Sequence, residues 1–173
     1  MKKTIYAVAI LAALFAAFSV SGAEESKNFP RFSTRDLDGN LVTNNIFAKN
    51  EVTMINFWAT WCPPCIRELP DLAQMGKALA ETNGEGALIG VLLDAGDRGV
   101  TQRAKSLLKS AGASFPHLLP NDDMKSILGT VSAIPTSIFV DSHGNIVGPT
   151  VVGARSASEY MAAMKTALEE ARK

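Results

Sequence analysis

The chain reads as a single α/β domain built on a mixed sheet, and three observations carry that reading. Two short, nearly continuous apolar runs at residues 52–57 and 87–93 are rich in branched side chains, the pattern of strands covered on both faces. A helical stripe lies between them and another follows, and the order strand, helix, strand, helix implies a largely parallel core. Residues 136–140 and 146–152 then flank Asp141-Ser142-His143-Gly144-Asn145 and read as an antiparallel pair closed by a tight loop, which makes the sheet mixed.

In chain order, residues 1–23 read as an export leader. Lys2 and Lys3 supply a positive start, residues 4–20 are almost entirely apolar, and Ser21-Gly22-Ala23 places small residues at the exit. Cleavage after Ala23 is expected. The alternative is an uncleaved anchor formed by residues 4–20, a run near the lower end of the ~17 to 25 residues that cross a bilayer. No cysteine stands near residue 23, which excludes a lipid anchor there. The expected location is the periplasm or another extracytoplasmic space. Residues 24–173 are enough for one domain with a sizeable interior. Without Lys2 and Lys3 the chain carries 15 basic and 17 acidic residues, a formal charge of −2 that offers no footprint for nucleic acid. Arg98, Arg103, Lys105 and Lys109 cluster, but on the polar side of a helix, as a solvated face would place them.

After a polar stretch at residues 24–28, short extended segments at 30–34 and 41–43 flank a turn carried by Asp38-Gly39. A calcium loop starting at Asp36 fails, because the glycine falls too early and the twelfth position is Phe47 rather than a glutamate. The first long helix turns Leu69, Leu72, Ala73, Gly76 and Leu79 inward and closes at Asn83-Gly84. A second spans residues 99–111, burying Val100, Ala104, Leu107, Leu108 and Ala111, with Gly112 as its stop. Residues 115–119 read as extended and 122–128 as a short helix burying Met124, Ile127 and Leu128. Ser156 and Glu159 form a capping box for a final helix whose buried side is Tyr160, Met164, Ala167, Leu168 and Ala171. The loop Asp94-Ala95-Gly96-Asp97 follows a strand's carboxyl end, where ligands of parallel sheets bind; a loop that simply leads into the next helix explains it equally well.

The chain has two cysteines, Cys62 and Cys65, at the start of the first long helix. A disulfide between positions this close removes little entropy from the unfolded chain and is a weak staple, so its value is redox chemistry. Exported folds held by disulfides carry well-separated cysteines, which this chain lacks. Thiol exchange runs through the thiolate, so one cysteine needs a pKa below the free value of about 8.5. A helix start supplies that: the Cys62 sulfur faces unpaired N–H groups, those of Cys65 and Ile66, and the positive end of the helix dipole. Pro63 and Pro64 suit the first turn, where a missing N–H costs no helical bond. Cys62 would then attack a substrate disulfide and Cys65 would resolve the mixed disulfide. Zinc would need two further ligands, and His117 and His143 stand in separate segments without ligand spacing, so no metal is expected. His143 reads as exposed in its turn and His117 as a strand-end residue.

Asn56-Phe57-Trp58-Ala59-Thr60-Trp61-Cys62-Pro63-Pro64-Cys65, Glu68-Leu69-Pro70, Ile134-Pro135-Thr136 and Phe139-Val140-Asp141, in this order, resemble the exported TlpA/ResA-type branch of the thioredoxin superfamily, within its redoxin-like (AhpC/TSA-like) group. The resemblance implies a thioredoxin-like fold: a mixed central sheet with helices on both faces, an N-terminal extension, and a central insertion between Asp94 and Val131. It implies that Pro135 is the family's cis-proline facing the disulfide, that Ile134 and Pro135 offer backbone to an extended substrate, that Trp61 is the aromatic beside the nucleophile, and that Pro70 kinks the active-site helix. Trp58 is equally readable as plain core. Asn56 stands where thioredoxin keeps a buried aspartate that assists the second cysteine, and Asn cannot take a proton. The resemblance assigns that work to Glu68, beside which stands the plainer reading of a solvated glutamate on a helix's first turns.

The activity implied is reduction of protein disulfides by a dithiol that needs no further cofactor, in a monomer. Its partners would be oxidised client proteins, apocytochrome c among them, and a membrane dithiol that donates electrons, because an oxidising compartment lacks a soluble reducing pool. A disulfide oxidant or isomerase is the alternative within redox chemistry; a peptide-binding module or a metal chaperone is the alternative outside it.

Overall fold

The computed structural model describes residues 28–173, so the leader and its cleavage point lie outside the described residues. Strands β1 (Ser33–Arg35) and β2 (Leu41–Thr43) form the expected antiparallel hairpin. Asp36 holds its turn by accepting from the backbone N–H of Asp38 and Asn40 and from the Asn40 side chain, which is the ordinary work of an aspartate in a turn. A 3-10 helix, Asn44–Lys49, follows; the sequence reading had no signal for it.

The main sheet runs β5-β4-β3-β6-β7. Strands β3 (Val52–Trp58), β4 (Gly86–Leu92) and β5 (His117–Leu118) are parallel, and β6 (Thr136–Asp141) and β7 (Ile146–Val152) are antiparallel to their neighbours. Every residue of β3 is buried, Thr53 and Asn56 included, as a nearly continuous apolar run at the centre of a sheet covered on both sides requires.

Helices α1 (Pro63–Ala80) and α2 (Arg98–Ala111) make successive crossovers in the same direction, from β3 to β4 and from β4 to β5. Right-handed crossovers in one direction fall on one face, and both helices pack into one cluster there together with α4 (Ala157–Ala171). Arg98, Arg103, Lys105 and Lys109 are all exposed, as the solvated face predicted. The opposite face is covered by Phe29, Phe32 and Phe47, which meet edge to face at 5.4–6.0 Å between ring centres, and by Met124 and Ile127. The predicted short helix divides into a 3-10 turn, Asp122–Met124, and α3 (Lys125–Leu128). Helices therefore lie on both faces, but the three long ones share one.

Helix α4 starts on the capping box of Ser156 and Glu159 and crosses β7 at Gly148. There φ is +67°, and a Cβ would lie 2.7 Å from the Ala167 Cβ, so only glycine lets the strand and helix backbones approach this closely. Among the described residues, no helix is long and apolar enough to cross a membrane.

Candidate active site

Strand β3 ends in the turn Ala59–Trp61, and α1 begins immediately after it, so Cys62 becomes the N-cap of α1. Three hydrogen bonds fix that turn. Thr60 donates from its backbone N–H (3.1 Å) and its hydroxyl (2.6 Å) to Asp94, and the Cys62 N–H donates to the Ala59 carbonyl at 3.2 Å. The loop after β4 thus clamps the active-site turn through Asp94, while Asp97 caps α2 by accepting from the Val100 N–H. Asp94 and Asp97 thus do what a loop leading into the next helix requires, turn support and helix capping.

Cys62 and Cys65 are joined as a disulfide. The Cys65 N–H points at the Cys62 sulfur from 3.3 Å, whereas the Ile66 N–H, expected to share that task, donates to the Cys62 carbonyl. The reason is that Ile66 makes the first regular bond of the helix. One backbone donor and the helix dipole therefore act on the sulfur. Pro63 and Pro64 occupy the first two helical positions, and the helix continues through Pro70.

The Ile134–Pro135 peptide bond is cis. It places the Ile134 carbonyl oxygen 3.8 Å from the Cys62 sulfur, and the Pro135 carbonyl accepts from Gly153 N–H at 2.8 Å, which ties this loop to the end of β7. Cys62 is consequently almost covered, at 3 % exposure, and Cys65 is fully so. Trp61 beside them is 65 % exposed, the main apolar surface at the rim.

Glu68 lies one turn beyond Cys65 on the same side of α1, as positions three apart do. It is buried, at 2 % exposure, which rules out the solvated glutamate considered from the sequence. Asn56 donates to its Oε1 at 2.9 Å and Tyr160 to its Oε2 at 2.7 Å. Asn56 also donates to the Ser137 hydroxyl at 3.1 Å. Burial pushes the Glu68 carboxyl above the usual carboxylate range; the bonds from Tyr160, Asn56 and the Arg155 backbone oppose this, and Asp71 adds to it. Burial likewise pushes the Tyr160 phenol up, so it is a neutral donor at physiological pH.

The structure thus brings Cys62, Cys65, Ile134 and Pro135 together, sets Glu68 behind Cys65, and leaves Trp61 at the surface. Sequence reasoning placed Tyr160 only in the buried stripe of the last helix. The available signal was the phenol itself, since a tyrosine in a buried stripe needs a partner for its hydroxyl. Trp58 is core, and its Nε1 donates to Nδ1 of His117, which stands at the end of β5 as expected and is buried there. Among the described residues, no cluster of three or more His, Cys, Asp or Glu could hold a metal ion.

Comparison with known proteins agrees with this geometry. The redoxin family model matches residues 24–164. Thiol-disulfide oxidoreductase ResA of Bacillus thuringiensis (strain Al Hakam) is 31 % identical over 123 residues, covering 70 % of this chain and 66 % of that protein, so the match spans just under two thirds of the relative's length. ResA of Bacillus subtilis (strain 168) is 28 % identical over 144 residues, 82 % of this chain and 76 % of that protein. A thiol:disulfide interchange protein of the thioredoxin family from Chlorobium tepidum TLS superposes with a TM-score of 0.66 at 29 % identity, covering 82 % of this chain and 95 % of that one. Its likeness extends to the thioredoxin-like sheet and helix arrangement described above.

Proposed function

Because the chain belongs to the redoxin family, we propose that it is a thiol-disulfide oxidoreductase that works outside the cytoplasm and reduces disulfides of protein clients. The observation that carries this reading is the Cys62–Cys65 disulfide at the mouth of α1, with the Cys65 N–H on the Cys62 sulfur and the Ile134 carbonyl against it. In the reduced protein the Cys62 thiolate attacks one sulfur of a client disulfide, and the other client sulfur leaves and takes up a proton. Cys65 then gives its proton to the Glu68 carboxylate and attacks the Cys62 sulfur. The second client sulfur leaves as a thiol, and the Cys62–Cys65 disulfide closes. The dithiol carries both electrons, so the reaction needs no other cofactor.

Glu68 suits this step because burial raises its proton affinity toward the working range of a thiol. The cis Ile134–Pro135 loop and Trp61 frame the approach to Cys62 and are the positions that contact the client. A membrane dithiol restores the reduced state, apocytochrome c is the client to test first, and the protein acts as a monomer after its leader is removed. Insulin reduction by the purified protein, with Cys62→Ser as control, tests the activity. Turnover that disappears in Cys62→Ser supports it, and equal rates in both proteins reject it. A Cys62/Cys65 reduction potential near −120 mV, the range of dedicated oxidants, would reverse the direction proposed here.

A further inference from the structure

Three buried side chains from three different elements converge on Glu68: Asn56 from β3, Ser137 from β6 and Tyr160 from α4. Their polar atoms form one network. Asn56 donates to Glu68 and to Ser137, and Tyr160 donates to the remaining oxygen of Glu68. Asn56 and Ser137 lie opposite each other in neighbouring strands, so the sheet fixes both. Tyr160 is held separately. Asp71 of α1 accepts from the Ala157 N–H at 3.0 Å, which docks the start of α4 against the active-site helix and brings the phenol, fully buried, onto the carboxyl.

We infer that Tyr160 is a positioning residue for the dithiol chemistry: its hydroxyl holds the Glu68 carboxyl in place beside Cys65 and sets the pH at which that carboxyl is free to take the Cys65 proton. The inference rests on the role proposed for Glu68 above and adds a second group to it. The physical argument is one of competition. Burial favours the protonated carboxyl, which cannot accept a proton, while a donor aimed at it favours the ionised form, which can. Of the two side-chain donors, Asn56 is rigid in the sheet centre, but Tyr160 makes the shorter bond and is the one supplied by a different layer of the fold. The other groups acting on the carboxyl are Asp71 on its own helix and the Arg155 backbone ahead of α4, and the Arg155 guanidinium acts on Tyr160; Asn56 and Ser137 are neutral. Withdrawing the Tyr160 hydroxyl removes the one side-chain donor to Oε2.

The proton balance is simple. Cys65–SH and Glu68–COO⁻ give Cys65–S⁻ and Glu68–COOH; the thiolate forms the bond to the Cys62 sulfur, and the client sulfur leaves with the electron pair of the broken bond.

The test is a pair of pH–rate profiles for disulfide reduction, for Tyr160→Phe and Glu68→Gln, together with the double variant. Tyr160→Phe removes one oxygen and keeps the ring. It is expected to move the acidic limb of the profile toward higher pH by about one unit, the scale of one charge-assisted hydrogen bond. In the Glu68→Gln background the same substitution is expected to move nothing. If Glu68→Gln itself leaves the limb unmoved, the role of Glu68 is wrong and the inference falls with it. If Glu68→Gln shifts the limb and Tyr160→Phe does not, Glu68 stands and only the role of Tyr160 is refuted. Should Tyr160→Phe fail to fold, the unsubstituted protein answers the question by NMR. The Tyr160 ring carbon bearing the hydroxyl should follow the Glu68 carboxyl with a common midpoint, and a tyrosine signal indifferent to that titration overturns the inference.

Discussion

Replacing Asn56 by aspartate would set a second carboxyl against Glu68, and the structure predicts a pH-dependent loss of stability while Glu68 is present. The Asn56 amide nitrogen lies 2.9 Å from Glu68 Oε1, so Asn56→Asp exchanges a donor for a second carboxylate at the same distance. Two full charges that close repel by about 6 kcal/mol at an effective dielectric constant of ~20. The pair escapes most of that by keeping one proton between them, as carboxylate dyads do. Holding that proton has its own cost, about 1.4 kcal/mol for each pH unit above the ordinary carboxylate range. The sign follows from the count of protons. The native variant holds one more than the unfolded chain, so its stability falls as pH rises. Relative to the parent, and over the range where the parent's Glu68 is already ionised, the loss is expected to steepen by about 1.4 kcal/mol per pH unit. Urea unfolding at a series of pH values reads this directly. The double variant Asn56→Asp/Glu68→Gln reverses the pair, with the new amide donating to the new carboxylate, and is expected to return to within about 1 kcal/mol of the parent with the extra slope gone. If Asn56→Asp unfolds with the same pH dependence as the parent, the two side chains do not face each other as described.

Other consequences are simpler to state. Gly148→Ala combines left-handed strain with a Cβ placed 2.7 Å from Ala167, and is expected to cost about 3 kcal/mol, read as a lower urea midpoint at unchanged slope. His117 is buried and its pKa is held down to about 3, so its ring should stay neutral on acidification. Because the unfolded chain binds that proton near pH 6.5 and the native one does not, His117 should cost about 1.4 kcal/mol of stability per pH unit below that value. A ring that titrates by NMR near pH 6.5 would contradict its burial. Cys65→Ser should stop the reaction at the mixed disulfide, visible as a covalent complex with an oxidised client on a non-reducing gel; a complex that forms equally in Cys62→Ser would assign the attack to the wrong sulfur.

The strands, the three long helices and the cysteine pair were legible because each is a local pattern. An apolar run such as residues 87–93, the Ser156–Glu159 capping box and Pro63-Pro64 after Cys62 declare themselves within a few residues. The 3-10 helix at Asn44–Lys49 was not, because one buried residue, Phe47, gives no period to detect. What Glu68 does was undecidable for a different reason. Its burial depends on β3, β6 and α4 arriving together, and Asn56, Ser137 and Tyr160 are separated from it by 12, 69 and 92 residues. Periodicity sees Tyr160 as one more core position; only the folded packing reveals where its hydroxyl goes. The support of the active-site turn by Asp94 is of the same kind, a contact across 34 residues between two loops.

The activation of Cys62 at the helix start is the point on which the proposed chemistry turns, and the pH dependence of its alkylation in the reduced protein measures it. With the Cys65 N–H and the dipole of α1 directed at the sulfur, Cys62 should react as a thiolate with a midpoint clearly below the free-cysteine value of about 8.5. A midpoint at or above that value would mean that the helix does not stabilise the thiolate.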